Sequence, residues 1–176
     1  MPPKPTTAAT RPRPGYRSFA LAEPLAARPW RIRPLWKIST VEEYLNIDRR
    51  AVMQRVEDGR LFWVFRLSGV HTRRRELRCL AACVMELQGL PTGLPKPTSA
   101  LSFAEVVELV LPHHRPELRG VELQRVFGCK PDLIRQLGTR RALTIAVRAR
   151  GKTGPNASHK FTRASVVRFL ETSRFT

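Results

Sequence analysis

Acidic residues are scarce in this chain. Its 176 residues hold 14 Asp+Glu against 32 Lys+Arg, a formal net charge of +18. Such an excess repels itself unless a polyanion is nearby, and nucleic acid is the usual one, ahead of anionic membrane or ribosomal RNA. Long apolar runs are also missing. The longest, Cys79 to Met85, is far short of the ~20 residues that a membrane-spanning helix needs. The first residues lack the apolar core of a signal peptide. Three cysteines, Cys79, Cys83 and Cys129, are an odd number and argue against a disulfide framework, so a reducing, cytoplasmic setting is expected. No Ser/His/Asp set and no paired carboxylates stand out, so no catalytic residue, cofactor or metal ion is expected. The fragment Gly151-Lys152-Thr153 lacks the upstream glycine of a phosphate-binding loop, since Ala146 stands there. Cys79 and Cys83, read as four apart on one helix, are expected to pack rather than to bind metal.

What is abundant is proline and arginine. Residues 1–34 carry eight prolines, seven Lys/Arg and one acid, Glu23. Proline removes backbone donors and blocks helices, so a disordered basic arm is expected there. Its Arg11-Pro12-Arg13-Pro14 lacks the central glycine of an AT-hook and reads as a solvated tail. The bias toward Arg favours forked contacts to phosphate or guanine over point charges.

From Trp36 to Leu87 the chain reads helix, turn, helix, hairpin, helix. Ser39-Thr40-Val41-Glu42 has the form of a capping box. Asn46-Ile47-Asp48 is a turn, with Asp48 as the next N-cap, and Gly59 stops the helix that follows. Phe62 to Leu67 suits a strand, Ser68-Gly69 a turn, and Leu77, Leu80, Ala81, Val84 and Leu87 one face of a closing helix. Residues 89–101, rich in Pro and Gly, read as a linker. Ser102-Phe103-Ala104-Glu105 is a second capping box, opening a short apolar helix that is expected to lie between two units. Trp30, Trp36 and Trp63 are expected in packing rather than base stacking.

A shift of 82 residues lays Val41–Leu61 on Leu123–Leu143 without a gap. Leu45 falls on Phe127, Ala51 on Leu133, Val52 on Ile134, Gln54 on Gln136 and Leu61 on Leu143. The flanks agree: Leu143, Ile145 and Val147 alternate as a strand, Phe161 closes a hairpin, Thr162 can cap, and Val166, Val167, Phe169 and Leu170 form the apolar face of a last helix. The run Ser39 to Leu61 resembles the opening of MerR-like and excisionase-like winged helix-turn-helix domains, and residues 118–174 resemble them more weakly. There Arg141 replaces the helix-stopping glycine, Pro131 begins the second helix, and the hairpin loop is longer. The expected fold is therefore mainly α with small β-hairpins. It comprises a disordered arm (1–34), a first winged helix-turn-helix domain (35–88), the linker, and a second such domain with an extra N-terminal helix (102–176).

The resemblance implies double-stranded DNA as partner, read by the second helix of each unit and by the hairpin wings. At about 100° per residue, Val52 and Val56 face inward while Arg50, Gln54 and Glu57 face outward, with Arg49 and Met53 beside them. Arg can bond guanine and Gln adenine in the major groove. In the second unit Leu133, Ile134 and Leu137 face inward, and Lys130, Asp132, Arg135, Gln136, Thr139 and Arg140 outward. Wing contacts are expected from His71, Arg73, Arg74 and Arg75 in the first unit, and from Arg148, Arg150, Lys152, His159 and Lys160 in the second. A transcriptional regulator in a bacterial or phage cytoplasm is the first reading. A DNA-bending recombination accessory factor and a basic RNA-binding or assembly subunit are the alternatives.

Overall fold

A computed structural model of the chain describes residues 33–68, 76–111, 115–147 and 159–175. Fourteen elements follow in order, the first six being β1 (Leu35–Lys37), α1 (Ile38–Leu45), α2 (Arg49–Glu57), β2 (Val64–Arg66), β3 (Leu77–Leu80) and α3 (Ala81–Leu87). A 3₁₀ turn (Thr98–Ala100) and α4 (Phe103–Val110) come next. The last six are β4 (Glu117–Arg119), α5 (Gly120–Phe127), α6 (Pro131–Thr139), β5 (Ile145–Val147), β6 (Lys160–Thr162) and α7 (Arg163–Thr172). The strands make two antiparallel three-stranded sheets, ordered β1-β3-β2 and β4-β6-β5. Among the described residues no helix is long and apolar enough to cross a membrane.

Local chemistry sets most boundaries. Asp48 accepts the Ala51 N–H at 2.7 Å and so caps α2, an interaction of about 1 kcal/mol. Ser102 and Glu105 close a reciprocal capping box on α4. Lys96 and these capping bonds hold the Glu105 carboxyl down to about 2. Thr162 accepts from the Ser165 N–H at the start of α7.

Three local expectations are corrected. The first capping box does not form: α1 begins at Ile38 behind extended Lys37, with no side-chain cap. The cause is β1, which pairs with β3 and runs straight into the helix. Leu77–Leu80 is a strand rather than the start of the closing helix. As the central strand it is buried at all four residues, and four residues are too few for a periodicity that separates strand from helix. Cys79 therefore lies on β3 and only Cys83 on α3, while Leu87 and Phe62 are exposed. Leu133 is half-buried, beside buried Ile134 and Leu137.

The 82-residue offset extends beyond the segment where the sequence shows it. β1, α1 and α2 recur as β4, α5 and α6 at that offset, residue for residue. So does strand register: Leu35 opposite Leu80 and Trp36 opposite Cys79 become Glu117 opposite Thr162 and Leu118 opposite Phe161. Even the left-handed residues correspond, Asn46 (φ 51°) with Gly128 (φ 53°) and Gly59 (φ 67°) with Arg141 (φ 58°). Arg141 is exposed and occupies a conformation that costs a side-chain-bearing residue roughly 1–2 kcal/mol. Arg141→Gly is therefore expected to stabilise the chain by about 0.5–1 kcal/mol after the extra unfolded-state entropy of glycine is subtracted. Urea denaturation checks this, and no gain would show that the side chain compensates elsewhere.

Between the two sets of elements the chain is packed. Buried Thr98 accepts the Trp63 indole N–H at 2.9 Å through its carbonyl. Its own N–H and hydroxyl donate to the Glu86 carboxylate. α4 reaches both sides: Phe103 packs on Trp63, and the Glu108 carboxylate accepts from Arg163 at 2.8 Å. Pro34, placed by the sequence in the arm, is buried and accepts the Ala81 N–H. Phe65, Phe127 and Phe161 are among the largest fully buried side chains in one contiguous core.

Candidate nucleic-acid interface

The outward face of α2 is built by burying the opposite one. Val52 and Val56 are in the core, which leaves Arg49, Arg50, Gln54 and Glu57 exposed. Met53 is half-buried and packs against the core. The Gln54 amide donates to Asp58 at 2.8 Å. Arg49 and Arg50 stand exposed at the helix start.

On α6 the same construction exposes Lys130, Asp132, Arg135, Gln136, Thr139 and Arg140. Pro131 occupies the first turn, where its missing N–H costs nothing. Arg135 pairs with Asp132 at 2.8 Å, both well exposed. Thr139 donates to the Arg135 carbonyl at 3.0 Å. An exposed pair of this kind holds ~0–1 kcal/mol, so an incoming phosphate can displace it.

Some of these residues are brought together. A cleft of about 390 Å³ is lined by Arg49 of α2, by Lys130 just before α6 and Asp132, Leu133 and Gln136 within it, and by Lys37, Ser39 and Arg78 among others. The starts of the two helices thus open on common ground. Arg50, Met53 and Gln54, like Arg135, Thr139 and Arg140, lie outside that lining. Lys37 and Arg78 were not anticipated. The available signal for Arg78 is a lone charge inside the apolar stretch Leu77–Leu80.

Of the wing residues, His71, Arg73, Arg74, Arg75, Arg148, Arg150 and Lys152 lie outside the described residues. His159 and Lys160 sit at the base of the second hairpin, both half-buried. Lys160 pairs with Glu117 across the sheet at 3.0 Å. The His159 carbonyl accepts the Gly120 N–H, and its Nδ1 is buried without a partner. These two therefore stand where the hairpin leaves the sheet, with part of their charge and hydrogen bonding already committed.

The three thiols are free. Burial pushes Cys79 up to about 12, and Cys83 and Cys129 each to about 11. Thiolate is the reactive form, so the two buried thiols, Cys79 and Cys83, are not expected to react with a disulfide reagent at pH 8 until the chain unfolds. A rapid native-state reaction would contradict their placement. Among the described residues no group of three or more His, Cys, Asp or Glu gathers as a metal site. Compared with family models, curated proteins and solved structures, the chain matches none.

Proposed function

We propose that this chain binds double-stranded DNA sequence-specifically as a transcriptional regulator, through two winged helix-turn-helix units whose second helices, α2 and α6, enter the major groove. The observation that carries the reading is the recurrence itself. One order of strands and helices, at one offset and register, twice leaves a helix with a buried aliphatic side and an exposed basic, glutamine-bearing side. Gln54 and Gln136 stand at equivalent positions, each with exposed cations nearby. The resemblance of Ser39–Leu61 to MerR-like and excisionase-like domains supports the same conclusion, as does the +18 charge. Arg49, Arg50 and Gln54 read bases from the first unit, and Lys130, Arg135, Gln136, Thr139 and Arg140 from the second. Met53, half-buried, contributes its apolar edge. The wing residues neutralise phosphates.

Fluorescence anisotropy across a salt series tests the proposal on four probes: a duplex chosen for tight binding, random duplex, single strands and structured RNA. The chosen duplex is expected to win by ~10³ or more, as specific binders do. A margin below about tenfold would remove specific readout. Preference for structured RNA would point instead to an assembly subunit.

A further inference from the structure

We infer that Arg78 is a positioning residue that, with Gly128 and the segment Ser173–Phe175, locks α2 and α6 into one rigid frame, so that the pair reads DNA at a single subsite spacing. The inference rests on the DNA-binding reading above and adds what that reading leaves open: whether two units on one chain act as tethered beads or as one body.

The first tie is the Arg78 guanidinium. It is held inside the protein, 3% exposed. Its Nε donates to the Phe127 carbonyl at 2.6 Å and its Nη1 to the Leu77 carbonyl at 2.9 Å. Its Nη2 reaches Glu76 at 3.2 Å and the Gly128 carbonyl at 3.5 Å. Phe127 and Gly128 end α5, the helix immediately before α6. One planar fork from the central strand of the first sheet therefore holds the helix-turn-helix of the second set. Lysine cannot reproduce that fork, because its donors share one nitrogen.

The second tie is Gly128. Its left-handed conformation is one that Asn46 also adopts at the equivalent place. A Cβ on Gly128, however, would stand 3.3 Å from the Leu35 carbonyl of β1. The backbone of the second set thus approaches the first more closely than most side chains allow. The third tie is the chain end. Arg66 N–H donates to the Ser173 carbonyl and Phe175 N–H to the Val64 carbonyl, which extends the β2 edge. Arg174 lies over the Trp63 ring at 4.4 Å and Arg66 over the Phe175 ring at 5.2 Å.

Three ties spread over separate parts of the junction resist both rotation and sliding. The consequence for DNA is geometric. Each added base pair advances the second subsite by about 3.4 Å and turns it by roughly 35°. A flexible tether follows such a change at little cost, because effective concentration falls slowly with span. A rigid frame cannot follow it.

Two measurements on the full chain test this. Spin labels on Glu43→Cys of α1 and Ala164→Cys of α7, both exposed and on helices without a named DNA contact, report the distance between the two sets. Duplexes with two base pairs inserted or removed between the subsites report spacing tolerance. The parent chain is expected to show one narrow distance and a loss of about tenfold or more on altered spacing, the cost of disengaging one linked subsite. Arg78→Lys should broaden the distance and cut that loss to under about threefold. Gly128→Asn keeps the local turn that Asn46 makes yet wedges against Leu35, and should do the same even if Arg78→Lys folds poorly. Affinity for a duplex carrying one subsite should change by less than about twofold in Gly128→Asn, since Gly128 lies outside the cleft lining. A broad distance in the parent overturns the frame. Unchanged distances and unchanged spacing loss in both variants overturn the role of Arg78 and Gly128. If the parent prefers no duplex, the DNA-binding reading and the spacing claim fall together, while the label distances still judge the frame alone.

Discussion

Arg78→Met is expected to destabilise the chain by about 3 kcal/mol. Two magnitudes compete. Removing a buried guanidinium relieves its desolvation, and replacing buried ions by apolar groups is often neutral when both partners go. Here the principal partners are backbone carbonyls, and these cannot be replaced. Phe127 and Leu77 would keep buried acceptors with no donor, each losing a charge-assisted bond of about 1.5–3 kcal/mol. Relief of desolvation offsets part of that sum. Glu76 contributes little, because its side chain is 44% exposed and can return to water. Urea denaturation followed by far-ultraviolet dichroism measures the change. A loss under about 0.5 kcal/mol would mean that water satisfies the carbonyls and that the guanidinium holds nothing together.

The second large effect concerns DNA, and it separates reading from holding. Arg50 is exposed in the first turn of α2. Arg50→Ala is expected to cost about 1–3 kcal/mol on the preferred duplex and almost nothing on random duplex, the signature of a lost base contact. Arg74, in the first wing, neutralises phosphate under the proposal. Arg74→Ala should weaken every duplex by a similar factor and lower the salt slope by about 0.9, one counterion's worth. Parallel anisotropy titrations at several salt concentrations distinguish the two. Equal losses on all sequences for both variants would abolish the division of labour between helix and wing.

Much of the fold is legible in the residues because the forces involved are local. Val52 and Val56 lie four apart and mark the inner side of α2, while Asp48, Ser102 and Thr162 announce helix starts through side-chain oxygens that cap. The outward basic side of each second helix follows from the same spacing. What stays hidden is what depends on distant partners. β1 and β4 have three residues each, too few to show a period, and exist because β3 and β6 offer them hydrogen bonds. Leu77–Leu80 is buried at every residue, on both faces of the sheet, so it lacks the alternation of a half-exposed strand and reads as the start of the helix that follows. Ser39 has the chemistry of a cap but sits inside a helix whose start β1 dictates. The Arg78 tie spans 49 residues to Phe127, and no local pattern records a contact of that range. The joining of Arg49 with Lys130 and Gln136 around one cleft is hidden for the same reason.

The most direct test is selection of bound duplexes from a random library by the full chain, followed by sequencing. Two enriched blocks at a constant separation are predicted, the second weakening when Gln136 is replaced by alanine. A library that emerges without enrichment, or with a single block indifferent to Gln54 and Gln136 alike, would contradict a protein that reads DNA with the same helix twice.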